Sequence, residues 1–253
     1  LKMNYSLIKK IRSKLKESQP TIGCWQQIPH PSISEILSDA NYDWIAIDLE
    51  HGSININSLP NLFRSIQLNN TLPIARIAVP GKKDCKQALD AGAGGIIIPM
   101  IESGNQLKKI INYSCWPPNG SRGVGFSRAN MFGKNFEAYK KEARNPLIIG
   151  QIENKRAIKN LKSILTTKGL DAIMIGPYDL SSSLGIIGDF KSKLFKDTVK
   201  DIIFNCKKYN IPYGDHIVNP DKKDLENKIN EGYTFLAYGT DGVFLNQNCQ
   251  NPN

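Results

Sequence analysis

The chain has 253 residues, of which 40% are hydrophobic, and it carries a formal net charge of +10. Its apolar runs fall short of the roughly 18–20 residues of a membrane span, and its lysine-rich start lacks the apolar stretch of a signal peptide. Five scattered cysteines without a CxxC motif are typical of reduced thiols, so we expect a cytoplasmic protein with no membrane partner. The lysines are spread along the chain and not interleaved with aromatic residues, which argues against a nucleic-acid partner.

Short runs rich in Ile and Val recur along the chain, each followed by a longer helical pattern. Strands this apolar on both faces, alternating with helices, indicate a parallel sheet that helices cover. Eight such units in about 250 residues are typical of a single (β/α)8 TIM barrel over residues 1–253, with an open doubly wound sheet as the alternative. The predicted strands are 21–25, 44–48, 73–77, 95–99, 147–153, 171–176, 211–218 and 234–239, and the predicted helices are 32–40, 58–69, 82–91, 103–113, 154–167, 191–209, 221–231 and 241–248.

One irregular stretch, residues 114–146, interrupts this alternation between the fourth and fifth strands. Its first half is rich in Gly, Pro, Ser and Asn, which are loop residues. A loop this long within a compact domain is usually functional. We therefore predict an inserted active-site loop that forms a lid or a wall over the site.

Polar side chains gather where the predicted strands end, which in a barrel is the face that carries the chemistry. Each of these residues alone also fits a purely structural role, such as a helix cap or a surface ion pair. Their joint occurrence on one face favours a site. The strand-end residues are Trp25, Asp48, Glu50, His51, Arg76, Gln151, Glu153, Tyr178, Asp179, Asp215 and His216.

Two carboxylates, Glu153 and Asp179, follow neighbouring strands without a histidine or cysteine beside them. Such oxygen ligands suit a hard divalent cation that keeps water positions open, and Mg²⁺ or Mn²⁺ is expected, with Co²⁺ as a further candidate. Arg76 offers a planar fork for a carboxylate or an enolate oxygen. His51 is one of three histidines, and Asp48 is placed to orient it as a base.

The sequence lacks the residues that two other kinds of chemistry require, Schiff-base catalysis and nucleotide binding. None of the predicted strands carries the desolvated lysine that a Schiff-base aldolase needs. The chain contains neither GxGxxG nor GxxxxGK[ST], so nucleotide binding has little support.

The motifs DWIAIDLEHG, PIARI, GGIIIPMIES, SRGVG, IGQIEN and GLDAIMIGPYDLSSSLG resemble, in this order, the metal-dependent 2-keto-3-deoxy acid aldolases. These class II pyruvate aldolases, whose type member cleaves 4-hydroxy-2-oxoheptanedioate, form the HpcH/HpaI aldolase/citrate lyase family with more distant citrate-lyase relatives. The resemblance implies a pyruvate-binding (β/α)8 barrel and a homo-oligomer, commonly a hexamer. It also implies cleavage or formation of a 4-hydroxy-2-keto acid, with pyruvate and an aldehyde as the small-molecule partners.

The resemblance implies a role for each residue of this chain that matches a functional position of the family. Glu153 and Asp179 are similar to the metal ligands, Arg76 to the residue that contacts pyruvate, and His51 with Asp48 to the base dyad. It also implies a wall over the active site made by the glycine-rich loop with Arg122. The full set of implied substrate-binding residues is Arg76, Gln151, Trp25, Tyr178, Ser181 and Arg122.

Three departures from the family pattern concern the substrate. Leu49 replaces the small or polar residue often found inside the D-x-E-H stretch. Tyr178 stands where the family usually has a small residue, and Asp215 with His216 stand where many members have small or apolar ones. Two other functions stay open: a lyase that acts on a citryl- or malyl-type coenzyme A thioester, and a non-catalytic or phosphate-binding barrel, for which only YGTDG at 238–242 hints at a phosphate site.

Overall fold

A computed structural model describes residues 4–249 and 251, and its core is a closed barrel of eight parallel strands. Each strand pairs with the next along the chain, and the last pairs with the first. The predicted TIM barrel is therefore confirmed, and the open sheet is wrong. The strands are β1 (Thr21–Gln26), β2 (Trp44–Asp48), β3 (Leu72–Arg76), β4 (Gly95–Ile98), β5 (Leu147–Ile152), β6 (Ala172–Ile175), β7 (Tyr213–Ile217) and β8 (Phe235–Thr240).

Helices cover the outside of the barrel between successive strands. The predicted helix 154–167 is two short helices divided at Asn160. None of the helices in the described part of the chain is long and apolar enough to cross a membrane. The helices are α1 (Tyr5–Lys16), α2 (Pro31–Asp39), α3 (Leu59–Ile66), α4 (Lys82–Ala91), α5 (Gly104–Ser114), α6 (Phe136–Ala143), α7 (Lys155–Lys159), α8 (Leu161–Leu165), α9 (Pro177–Leu184), α10 (Lys193–Lys208), α11 (Lys222–Asn230) and α12 (Asp241–Asn248).

The helix α1 closes the N-terminal end of the barrel. Its buried residues Ile8, Ile11 and Leu15 pack with side chains inside the barrel, including Trp44 and Phe235 at the starts of their strands. Burying apolar surface here is the main favourable term for this contact. The opposite end, where the strands terminate, remains free for a site.

The segment 114–146 lies away from that open end. It leads from α5 into β5, so it connects a helix to a strand, and such connections belong to the N-terminal end of a barrel. Arg128 donates to the backbone carbonyl of Ala91 at the end of α4, and Glu142 accepts from Asn4 just before α1. Within one chain, the prediction that this segment walls the active site is therefore wrong.

The lower barrel interior depends on a tight contact between Gly23 and Trp44. The indole of Trp44 stacks on Phe235 with ring centroids 4.3 Å apart, and its other neighbour is the backbone of β1. A Cβ atom on Gly23 would lie 2.0 Å from Cδ2 of Trp44. Only glycine fits at this position without displacing the indole.

We expect Gly23→Ala to lower the free energy of unfolding by about 1–3 kcal/mol, the usual cost of overpacking a core. Urea denaturation of both proteins measures this difference. The matched control is Gly125→Ala, since among the described residues no atom beyond its chain neighbours lies within 4 Å of the added Cβ. Equal unfolding midpoints for the two variants would contradict the packing argument.

Candidate active site

A cavity of about 320 Å³ lies at the open end of the barrel. A larger cavity of about 690 Å³ opens beside α1 at the other end, but there Arg12 and Asp171 already neutralise each other at 2.7 Å. The charged groups of the mouth are drawn from several strands, as expected for a barrel enzyme. The cavity at the mouth is lined by Gln27, His51, Arg76, Gln151, Glu153, Ile175, Gly176, Pro177, Tyr178, Asp179, His216, Val218, Thr240 and Val243.

The centre of the mouth is a buried ion pair between Asp48 and Arg76. These residues are register partners on β2 and β3, and Nε and Nη2 of Arg76 donate to the two oxygens of Asp48 at 2.9 and 2.6 Å. The side-chain amide of Gln27 adds a third hydrogen bond at 2.8 Å. Burial opposes ionisation of Asp48, but the hydrogen bond and charge of Arg76 outweigh it and lower the pKa of this carboxyl.

Two further groups hold the guanidinium of Arg76. Its central carbon lies 4.4 Å from the ring centroid of Trp25, which is buried beneath it in a cation–π contact. Its Nη1 lies 3.1 Å from Oε2 of Glu50. The orientation of the positive charge is thus fixed before any ligand enters.

The expected pairing of Asp48 with the imidazole of His51 is absent. Asp48 accepts from the backbone N–H of His51 at 3.2 Å, while its carboxylate is engaged by Arg76. The imidazole is more than half exposed at the cavity, and its Nε2 lies 3.9 Å from Oε2 of Glu50. The acidic neighbour of this histidine ring is therefore Glu50, and the predicted dyad geometry is corrected accordingly.

Glu153 is a buried carboxylate at the end of β5. It accepts from the backbone N–H of Met100 at 2.8 Å and from the amide of Gln151 at 2.9 Å. Burial raises the pKa of Glu153 to about 7, and the negative charges of Glu50 and Asp179 act in the same direction. A Cβ atom on Gly176 would lie 2.4 Å from Oε1 of Glu153, so a glycine is needed beside this carboxylate.

Asp179 lies in the first turn of α9 and is exposed at the cavity. The helix begins at Pro177 with Gly176 as its N-cap, so Asp179 is not the helix cap that was its alternative role. A first-turn carboxylate is favoured by the helix dipole while its oxygens stay available to a ligand. Glu153 and Asp179 thus share one cavity.

The residues fit a divalent cation with two protein ligands. Among the described residues, no group of three or more His, Cys, Asp and Glu side chains is arranged to hold a metal ion. A Mg²⁺ or Mn²⁺ ion, however, commonly keeps several waters and uses only one or two carboxylates. The raised pKa of Glu153 and the unpartnered Oε1 of Gln151 both mark a place where a positive charge or a hydrated ion would be favourable.

Three predicted substrate-binding residues lie outside the cavity lining: Trp25, Ser181 and Arg122. Trp25 is buried against the guanidinium of Arg76. Ser181 is buried and donates to the backbone carbonyl of Tyr178, while it accepts from the N–H of Gly188, so it holds the end of α9. Arg122 is buried beside Tyr139, to whose hydroxyl it donates at 3.1 Å, on the segment at the far end of the barrel. For contact with the mouth cavity of the same chain, all three predictions are wrong.

The strand β7 separates its two polar residues onto opposite faces. Asp215 is buried on the outer face, where it accepts from Lys228 of α11 at 2.6 Å. His216 lies on the inner face and lines the mouth, with its ring centroid 5.5 Å from that of Trp25. Because side chains alternate along a strand, two adjacent residues such as these cannot both face the mouth.

Gln27 and Thr240 also line the mouth, although the sequence pattern assigned neither of them a role. Thr240 follows a glycine at the end of β8, and Gln27 directly follows β1. Their position at or after the end of a strand was the only available signal. Many polar residues share that signal without taking part in a site.

Comparisons with known proteins agree with this architecture. The family model described as HpcH/HpaI aldolase/citrate lyase matches residues 21–247. The 5-keto-4-deoxy-D-glucarate aldolase of Salmonella paratyphi A is 31% identical over 237 residues, covering 93% of this chain and 92% of that protein. A family protein of known structure from Burkholderia cenocepacia superposes with a TM-score of 0.88 at 27% identity, covering 94% and 95% of the two chains. The citrate synthase SbnG has a TM-score of 0.80 at 25% identity, covering 93% and 92%.

Replacing Asp48 tests the central ion pair. We expect Asp48→Asn to lower the free energy of unfolding by about 3 kcal/mol at pH 7, because it leaves the guanidinium of Arg76 buried without its counter-charge. The folded-state pKa of Asp48 lies below its ordinary value of 3.8, so its contribution is fully present above that value and is lost only as pH falls through the lowered pKa. Urea denaturation between pH 7 and 5 should therefore show a constant difference. A difference that vanishes by pH 5 would contradict the pairing.

Proposed function

Since this chain belongs to the HpcH/HpaI aldolase/citrate lyase family and is a carbon–carbon lyase of the aldolase type, we propose that it cleaves and forms a 4-hydroxy-2-keto acid. The products of cleavage are pyruvate and an aldehyde. The observation that carries this proposal is the convergence of a fixed guanidinium, Arg76, and a buried carboxylate, Glu153, on one cavity. This is an arrangement that can hold a 2-keto acid and stabilise its enolate.

The proposed reaction depends on a divalent cation, Mg²⁺ or Mn²⁺, which Glu153 and Asp179 would hold. When bound, such an ion would supply positive charge that polarises the keto group. Gln151 supports Glu153 by its hydrogen bond of 2.9 Å and so fixes the direction of that carboxylate. The negative charges of Glu50 and Asp179 near Glu153 make the protein without a cation electrostatically unfavourable at this point.

Arg76 orients the 2-keto acid. Nε and Nη2 donate to Asp48, and among the described residues Nη1 is paired with Glu50. Its N–H groups can donate to the carboxylate or to the oxygen on which negative charge develops. Because Trp25 and Asp48 already hold the guanidinium, little reorganisation is needed in the transition state.

His51 is the proposed base for the C4 hydroxyl. Its ring lines the cavity, and Nε2 lies 3.9 Å from Glu50, whose charge would stabilise the imidazolium form. The proton of the C4 hydroxyl passes to Nε2, the C4–O bond becomes the carbonyl of the aldehyde, and the electrons of the C3–C4 bond enter the enolate. Transfer of this proton from Nε2 to C3 of the enolate, directly or through water, completes pyruvate and restores the neutral imidazole.

A phosphate-binding barrel is disfavoured by the end of β8. The carboxylate of Asp241, in the YGTDG stretch, accepts from the backbone N–H groups of Gln27, Ile28 and Gly242. These are the amides that would otherwise face a phosphate, and a buried carboxylate beside them repels one. A coenzyme A thioester lyase is the remaining alternative, and saturable binding of a thioester would distinguish it.

The proposed assembly is a homo-oligomer, with the hexamer of the family as the expected form. Three large apolar side chains are exposed on the 114–146 segment: Val124, Phe126 and Phe132. Exposed apolar side chains grouped on one segment are typical of a surface that another protein chain covers.

The first test is exchange of the methyl protons of pyruvate with D2O, followed by NMR in the presence of Mg²⁺. We expect exchange that EDTA abolishes and that Glu153→Gln slows by more than about 100-fold, because the variant loses a cation ligand. The matched control is Glu137→Gln, which makes the same carboxylate-to-amide replacement at a side chain of α6 that is 81% exposed. Exchange that persists unchanged in Glu153→Gln would refute the role of Glu153.

The affinity for Mn²⁺ should depend on pH. With a pKa of about 7, Glu153 is mostly protonated at pH 6 and mostly ionised at pH 8, and only the ionised form binds a cation. Competition by one proton predicts Mn²⁺ binding about tenfold tighter at pH 8 than at pH 6. Titration followed by electron paramagnetic resonance measures the affinity, and equal affinities at the two pH values would contradict the ligand assignment.

A further inference from the structure

Gln27 shares an oxygen of Asp48 with Arg76. It directly follows β1 and lines the mouth cavity, although the proposed reaction gives it no part. Its side-chain amide donates to Oδ2 of Asp48 at 2.8 Å, and the same oxygen accepts from Nη2 of Arg76 at 2.6 Å. The position of this oxygen therefore depends on both residues.

Both oxygens of the Asp48 carboxylate are held by hydrogen bonds. Oδ1 accepts from Nε of Arg76 and from two backbone N–H groups, those of Glu50 and His51. Among the described residues, the donors to Oδ2 are Arg76 and Gln27. Because the lowered pKa keeps Asp48 ionised, its carboxylate can only accept, and so the Nε2 side of the Gln27 amide must face it. Without this amide, a buried oxygen would be held by the guanidinium alone.

Gln27 is itself fixed by Asp241, the first residue of α12. The carboxylate of Asp241 accepts from the backbone N–H groups of Gln27 and Ile28 at 2.9 and 2.8 Å. Trp25 and Thr240 are register partners on β1 and β8, so the chain leaves β1 directly beside this buried carboxylate. Asp241 thus holds the backbone from which the side chain of Gln27 reaches Asp48.

These contacts form one relay across the ends of four neighbouring strands, from β8 through β1 and β2 to β3. Acceptors alternate with donors along the relay, whose members in order are Asp241, Gln27, Asp48 and Arg76. The guanidinium is planar and binds Asp48 through two nitrogens, so a turn of the carboxylate would turn the whole guanidinium, including Nη1. A displacement anywhere along the relay would therefore reach the charged group of Arg76, which lines the mouth cavity.

We propose that Gln27 is a positioning residue for Arg76, acting through Asp48, and that Asp241 sets the position of Gln27. The relay holds the guanidinium in the direction that binds the carboxylate of the 2-keto acid, so the start of α12 influences the affinity of a group on β3. This inference rests on the proposed function, since it takes Arg76 as the group that binds the keto acid.

The first test observes Arg76 without any substrate. In protein labelled with ¹⁵N-arginine, the Nε–H group of Arg76 gives a resonance that Arg76→Lys identifies by its loss. We expect Gln27→Met, which removes the donor at nearly constant size, to shift this resonance and to speed its exchange with solvent about tenfold. The matched control is Gln19→Met, which should change neither, because Gln19 is exposed just before β1 begins, at the opposite end of the barrel. An unchanged Arg76 resonance in Gln27→Met would overturn the proposal.

The second test measures pyruvate binding by calorimetry in the presence of Mg²⁺. We expect Gln27→Met to weaken the affinity about tenfold, and Asp241→Asn to weaken it less, because asparagine keeps one acceptor oxygen. In the double variant the loss should equal that of Gln27→Met alone, since both changes act through one relay. Fully additive losses would overturn the relay. Absence of pyruvate binding in the wild type would refute the proposed function alone, and the Arg76 resonance would still decide whether the relay positions this residue.

Discussion

The arrangement of the mouth depends on the ion pair between Asp48 and Arg76. Both residues end their strands at the same level of the barrel, and each uses two atoms on the other. An isolated guanidinium or carboxylate at this depth would be strongly unfavourable, and pairing removes most of that cost. The pair therefore also fixes its neighbours: Trp25 lies against the guanidinium, and Glu50 faces the nitrogen that Asp48 leaves free.

The barrel itself was predictable because its strands are buried on both faces. Runs such as WIAID and GIIIP have no polar face, and only a parallel sheet covered by helices buries such strands. The end of each strand could be located from the first polar residue after the run. For this reason the sequence alone predicts that Asp48, Arg76, Glu153 and Asp179 share one face, and the fold brings them to one end of the barrel.

Partners across strands were not predictable in the same way. Asp48 and His51 are three residues apart, which suggested a contact, but the closed register of β2 and β3 sets Asp48 directly beside Arg76. The carboxylate pairs with the buried guanidinium and not with the exposed imidazole, because the buried guanidinium is not solvated by water and needs a counter-charge. The segment 114–146 differs from its predicted position for a topological reason: it connects a helix to the next strand, so it lies at the N-terminal end of the barrel.

The charges of the mouth divide into a group that neutralises itself and a group of carboxylates with excess negative charge. On the side of β2 and β3, Asp48 and Arg76 neutralise each other, and the pKa of Asp48 is lowered. Beyond the pair, Glu50, Glu153 and Asp179 repel one another, and burial raises the pKa values of Glu50 and Glu153. The free energy gained by burying the apolar strands offsets this electrostatic repulsion, and a bound cation would remove the repulsion itself. In the proposed reaction the same division separates orientation from reactivity: the neutralised half would hold the keto acid in place, and the acidic half would hold the cation that supplies the chemistry.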